Sequence, residues 1–164
     1  MPIIRLASQW LRANAPPIGK VTVIHHDFRA GNFLFDEESG AINAVLDWEL
    51  AHLGDYHEDL AWTLQEGYGC RDEQGRFLVC GLIEKSEFMD RYQQQTGFEI
   101  DQRKLDYYGI MNDWKSAIIV LGTGIRCTIG GKSHQDILLS WLAGFGHVCV
   151  DSLTKRLEEV IDGA

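Results

Sequence analysis

His25-His26-Asp27-Phe28-Arg29-Ala30-Gly31-Asn32 and, shortly after, Leu46-Asp47-Trp48-Glu49 decide how this chain is read. The first stretch has the form H-x-D-x-x-x-x-N and follows an apolar, β-branched run, Val21-Thr22-Val23-Ile24. The second sets a carboxylate at the end of another apolar run, Ala44-Val45-Leu46. An Asp, an Asn five residues on and a later Asp at a strand end are the polar groups that phosphoryl transfer requires. One acts on the attacking hydroxyl and two hold Mg²⁺. Asp27, on a tight loop, is placed to accept the hydroxyl proton. Asn32 and Asp47 offer the hard oxygen ligands that Mg²⁺ prefers. Arg29 puts a positive charge near the transferring group, and Glu49 supports the metal site or its waters.

Outward from this segment, Pro16-Pro17 closes an amphipathic helix over residues 1–15. Residues 32–36 and 41–46 alternate as the two arms of a hairpin around Glu37-Glu38-Ser39-Gly40. Asp55 is the expected N-cap of a helix over 56–64. Residues 67–76 read as a loop. Helical periodicity returns over about 83–96, with Gly97 as the stop, then over about 101–119 and 134–161, bent near Gly144 and Gly146. The expected fold is α+β: a small β-hairpin platform followed by a mostly helical body. It forms a single domain over 1–164, with a catalytic and metal segment at 21–62 and a helical body at 80–164.

Length and composition are those of an ordinary soluble globular chain: 164 residues, 45% hydrophobic and 24% charged. The net charge of −9 argues against nucleic acid or an anionic membrane as partner, but not against ATP carried with Mg²⁺. No run approaches the ~20 apolar residues of a membrane span. The N-terminus lacks the apolar core and cleavage site of a signal peptide. Cys70, Cys80, Cys127 and Cys149 are spread without a C-x-x-C pair, which fits reduced thiols in a cytoplasmic setting.

Residues 23–62, above all His25 to Asn32, Ala44 to Glu49 and Leu53-Gly54-Asp55, resemble the aminoglycoside phosphotransferase and choline kinase-like superfamily. Within it they are most similar to the subgroup related to the kinase-like part of some acyl-CoA dehydrogenases. The resemblance implies the C-terminal lobe of a protein-kinase-like fold, with ATP as phosphate donor and Mg²⁺ as cofactor. Asp27 would be the base, Asn32 and Asp47 the metal ligands, and His25 a buttress of the catalytic loop. Asp59, in Glu58-Asp59-Leu60-Ala61-Trp62, matches a helix carboxylate that anchors that loop. Two residues depart from the family's strings. His26 stands where Gly is usual, which strains the turn if the backbone there needs φ > 0. Tyr56 stands where Pro is usual.

The larger departure is that only about two dozen residues precede the motif. The family's nucleotide-covering loop and strand lysine have no place in them, so the N-terminal nucleotide lobe is expected to be absent and ATP binding by this chain alone weak. The expected function is an ATP- and Mg²⁺-dependent phosphotransferase acting on a small-molecule hydroxyl; the alternative is a truncated, non-catalytic module that binds a metabolite or protein. Antibiotic, sugar, choline-like and hydroxyacyl acceptors all stay open, and the subgroup favours general metabolism over antibiotic resistance. Apolar surface left by a missing lobe makes self-association an expected partner.

Three other patterns carry less. His25, His26, Asp27, His52 and His57 supply groups suited to a transition metal or an HD-type phosphohydrolase. Such proteins place them on helices, whereas here the pair follows a strand. Gly130-Gly131-Lys132-Ser133 ends like a P-loop but has Arg126 where its first Gly belongs. Trp10, Trp48, Trp62, Trp114 and Trp141 read as core packing, with Trp48 or Trp62 as candidates to border a cleft.

Overall fold

In the computed structural model, residues 1–130 and 136–162 are described, the side chains of 123, 128 and 136–143 excepted. Helix α1, Pro2–Ala13, turns Ala7 and Leu11 inward. Proline at its start fits a position whose N–H needs no intrahelical partner. Strand β1, Val21–Ile24, leads to the loop of the motif, where residues 30–32 form one 3₁₀ turn. The hairpin follows as β2, Phe33–Phe35, and β3, Ile42–Val45, antiparallel with Phe33 opposite Val45. Its turn is held by Asp36, whose Oδ1 accepts from the Ser39 amide (2.8 Å) and hydroxyl (2.7 Å).

Two features of the middle segment differ from the sequence expectation. His52–Asp55 is a strand, β4, antiparallel to β1, with Ile24 opposite His52 and Val21 opposite Asp55. Asp55 therefore ends a strand and does not cap the next helix; α2 spans His57–Thr63 with Tyr56 at its N-cap. Its Oδ1 still accepts the His57 amide at 3.1 Å, so the carboxylate satisfies one orphan N–H of that helix from one position further out.

Residues 67–76 are likewise not all loop. Cys70–Arg71 (β5), Phe77–Val79 (β6) and Ile83–Glu84 (β7) form a three-stranded antiparallel sheet. The helix expected from about residue 83 begins at Lys85: α3 spans Lys85–Thr96 and stops at Gly97, whose φ of 70° is the left-handed conformation glycine adopts freely. Helix α4 spans Gln102–Ile118. A π-helical segment, Ile119–Gly124, separates it from α5, Ile125–Gly130, and α6 spans Asp136–Asp162. Gly131-Lys132-Ser133 of the P-loop-like string lie outside the described residues.

Two compact units result, Pro17–Tyr108 and the combination of Met1–Pro16 with Gly109–Ala164. In the first, Ile24, Leu60, Ala61, Trp62, Val79, Leu105 and Tyr108 are buried. In the second, Ala7, Leu11, Ile110, Ala117, Leu153 and Leu157 are buried, and Trp114 Nε1 donates to Ile4 O at 3.1 Å. Asp113 of that unit accepts from Ser152 Oγ (2.7 Å) and Arg156 Nε (2.9 Å), yet burial holds its carboxyl above the usual range. Trp48, expected in the core, is 52% exposed, and the Trp141 side chain lies outside the described residues. The four cysteines are free, and no described helix is long and apolar enough to cross a membrane.

Candidate active site

Every residue of the motif loop, of the hairpin that follows it and of α2 lies in the Pro17–Tyr108 unit. Antiparallel pairing of β1 with β4 brings the loop that leaves Ile24 beside the helix that follows Asp55, so the first carboxylate to meet that loop is on α2. Asp59 accepts the backbone N–H of His25 on Oδ2 (2.8 Å) and that of His26 on Oδ1 (2.7 Å). Both amides belong to a sharp bend without ladder partners, and an ionised carboxylate is the strongest acceptor a side chain can offer them. One turn later on α2, Thr63 Oγ1 donates to Phe28 O at 2.8 Å, extending the attachment of loop to helix.

His25 is buried and joins three segments. The Asp27 amide donates to its Nδ1 (3.1 Å), which leaves Nε2 protonated to donate to Leu46 O (2.7 Å). Its ring meets Trp48 edge-on at 4.6 Å. The Leu46 amide in turn donates to Asn32 O at 2.8 Å, so the residue before Asp47 is tied to the motif loop through both its N–H and its carbonyl. Asp47 itself has φ 67° and ψ 52°, a left-handed conformation that Asp tolerates better than most residues. Its side chain is exposed, and among the described residues no hydrogen bond or ion pair engages its carboxylate.

Asp27 is the carboxylate of the loop that gathers side-chain donors. Arg29 Nε lies 3.1 Å from Oδ1 and 3.3 Å from Oδ2, Asn32 Nδ2 is 2.7 Å from Oδ2, and Trp62 Nε1 is 3.0 Å from Oδ1. Asn32 gives its second N–H to Asp27 O at 2.8 Å. Its Oδ1 is therefore the atom that remains for a cation. Arg29 also faces the Tyr68 ring at 5.8 Å. The structure thus brings Asp27, Arg29, Asn32, His25 and Asp59 into one connected set and attaches Asp47 to it through the backbone of Leu46. Trp62 is the member that sequence reasoning misses: its indole N–H is a ligand of Asp27 across 35 residues, and only its place in the helix after Asp59 hints at it.

His26 has φ 66°. A β-substituted residue held there costs about 1 kcal/mol relative to glycine. His26→Gly is therefore expected to raise the stability of the metal-free protein by up to about 1 kcal/mol in urea unfolding, less whatever packing the imidazole has against Trp62 (rings 5.3 Å apart). Any net loss of stability would show that packing outweighs strain.

Beside the loop lies an apolar cleft of about 350 Å³, bordered by Ile24, Phe28, Phe88, Tyr92 and Phe98 with Asp59 at its edge. Burial pushes the Tyr92 phenol up to about 12, so it stays a hydrogen-bond donor at any ordinary pH.

A loop whose carboxylate gathers three side-chain donors, tied to a helix carboxylate and followed by a hairpin that ends in a second Asp, is the arrangement expected of a kinase-like phosphotransferase. The chain belongs to the phosphotransferase enzyme family, whose model matches residues 2–105. It is 40% identical over 143 residues to acyl-CoA dehydrogenase family member 10 of Mus musculus, a match covering 81% of this chain and 13% of that protein. With acyl-CoA dehydrogenase family member 11 of Gallus gallus it shares 29% over 145 residues, covering 83% of this chain and 19% of the relative. The chain thus spans less than a fifth of the length of these relatives. Its fold matches the crystal structure of a putative aminoglycoside phosphotransferase from Ralstonia eutropha JMP134 with a TM-score of 0.74 at 19% identity. That match covers 96% of this chain and 49% of the other, and it bears out the expected α+β, kinase-like fold.

Proposed function

We propose that this chain is the base- and metal-bearing part of an ATP- and Mg²⁺-dependent phosphotransferase whose acceptor is a small-molecule hydroxyl. The observation that carries the reading is the Asp27 carboxylate, oriented by three protein donors beside an Asn32 whose oxygen is left over. A carboxylate has about four acceptor sites. The N–H groups of Asn32 and Trp62 take one each and that of Arg29 is shared between both oxygens, so a hydroxyl that displaces the longer Arg29 contact on Oδ2 (3.3 Å) meets a fixed carboxylate ready to take its proton. Phosphoryl transfer needs this kind of positioning more than covalent chemistry.

Asn32 Oδ1 and the Asp47 carboxylate form a donor set of hard oxygens, which suits Mg²⁺. Bound there, the ion would neutralise charge on the nucleotide phosphates. Arg29 offers positive charge on the same side of the loop, while Asp59 and His25 act by holding the backbone that carries Asp27.

The test is Mg·ATP-dependent phosphorylation of a panel of small hydroxyl compounds by the longest natural protein that contains this segment. Turnover that depends on Mg²⁺, and whose Mg²⁺ requirement rises at least about tenfold in Asp47→Asn, is the expected result. Calorimetry showing tight Mg·ATP binding but no transfer to any acceptor would favour a binding module instead.

A further inference from the structure

Three side chains that the proposed reaction does not use converge next to the motif loop. His52 Nε2 lies 3.0 Å from Glu58 Oε2, and His26 Nδ1 lies 3.7 Å from the same oxygen. One ligand atom from each of the three falls within 4.8 Å of the others. We propose that His26, His52 and Glu58 form a binding site for a zinc-class dication, with a fourth position open to water on the His52 side.

The protonation geometry points to a cation at this spot. His52 Nδ1 is 2.9 Å from Leu50 O, and a carbonyl only accepts, so Nδ1 carries the hydrogen. In the neutral ring the Nε2 lone pair then faces a Glu58 oxygen lone pair at 3.0 Å. Two acceptors hold that approach only with a positive centre between them, either a proton on Nε2 or a metal ion. A ring N–H given to a backbone carbonyl, with the other nitrogen turned to the metal, is also how ligating histidines are oriented. Zn–N and Zn–O bonds of about 2.0–2.2 Å put tetrahedral ligand atoms roughly 3.3–3.6 Å apart, so the separations of 3.0 and 3.7 Å from Glu58 need adjustments of a few tenths of an ångström, and the two imidazole nitrogens, within 4.8 Å of each other, close by at most roughly 1.5 Å through side-chain rotation.

The backbone makes room for this cluster. A Cβ on Gly54 would stand 2.6 Å from Glu58 Oε1 and 3.1 Å from Ile24 Cγ1, so the absence of a side chain there is what admits the carboxylate. The φ of 66° at His26 aims an imidazole into the group from the bend, where a glycine would contribute nothing. Two imidazoles and one carboxylate suit zinc better than Mg²⁺, which separates this site from the oxygen pair of Asn32 and Asp47. The three ligands come from β4, α2 and the residue before Asp27, so an ion here would clamp the loop that carries the base.

Titration of tag-free protein with Co²⁺, followed by its visible d–d absorption, and with Zn²⁺ by calorimetry tests the site. One equivalent of Zn²⁺ should bind with micromolar or tighter affinity, Co²⁺ should give an intense four-coordinate spectrum, and millimolar Mg²⁺ should not displace either. His52→Ala, at an exposed position, should weaken binding at least about tenfold. His26→Gly should do the same while melting no lower than wild type without metal, because it relieves the positive-φ strain. Wild-type affinity weaker than millimolar, or affinity unchanged in both variants, would overturn the proposal.

Discussion

Asp27→Asn is expected to lower phosphoryl transfer by about 10²–10⁴-fold while leaving the protein folded. The amide has the size of the carboxylate and can still accept from Trp62 and Arg29, which approach Oδ1 at 3.0 and 3.1 Å. It cannot take a proton from a hydroxyl, and its own N–H₂ would confront the Asn32 amide now 2.7 Å from Oδ2. A modest drop in melting temperature is expected from that confrontation, so rates belong well below the transition. Initial rates of ADP release in the longest natural protein carrying this segment, paired with a melting curve, separate chemistry from folding. Activity within about threefold of wild type would remove Asp27 from the role of base.

The second large effect is structural. Asp55→Ala should destabilise the Pro17–Tyr108 unit by about 3–5 kcal/mol, a large part of the roughly 5–15 kcal/mol typical of a domain. Asp55 is fully buried and accepts from Lys104 Nζ and His57 Nδ1, both at 2.5 Å, and from the amides of His57 (3.1 Å) and Gly19 (3.3 Å). His57 relays the network onward, its Nε2 accepting the Asp101 amide at 2.9 Å. Removing the carboxylate leaves a nearly buried ammonium and a buried imidazole without their acceptor. Burial alone would raise the Asp55 pKa, but the hydrogen bonds from Lys104 and His57 outweigh it and hold the carboxyl down to about 2, from 3.8.

A depressed folded-state pKa means that the unfolded chain binds the proton first. The resulting stabilisation, on the order of 2 kcal/mol, is complete above about pH 4 and is lost as pH falls through about 2. Urea unfolding of wild type and Asp55→Ala between about pH 2 and 6 should therefore converge toward the acid end. Parallel curves would show that the network does not carry that linkage.

What is legible in the sequence is whatever chemistry lies close together along the chain. His25 to Asn32 form one loop, and the hairpin that delivers Asp47 announces itself through alternation and the Ser39-Gly40 turn. Asp59 is reached only through family resemblance, because no local pattern says that a helix carboxylate accepts two amides 33 and 34 residues away. Trp62 reads as core packing or as the border of a cleft, and its place after Asp59 is a hint that does not extend to its N–H ending on Asp27. Strand β4 escapes because His52-Leu53-Gly54-Asp55 is short, contains glycine and runs straight into a helix. The sheet of β5, β6 and β7 escapes for a related reason: strands of two or three residues are too short to show a period of two. Asp55 mimics a cap because a capping residue and the anchor of a buried ion network share the same preference for Asp before a helix.

The pairing of Ile24 with His52 has a kinetic side. Asp27, Arg29, Asn32 and Asp47 all sit inside the loop that this pair closes, and the β2–β3 hairpin is nested within it. Once the hairpin has zipped, its two ends lie side by side and the remaining segments to be closed are short, so the entropy of bringing β4 to β1 falls. The nesting therefore favours an order in which the hairpin forms before the outer strands dock and bring Asp27 to its neighbours on α2. Damage to the Asp36–Ser39 turn would slow the formation of the site without touching any residue in it.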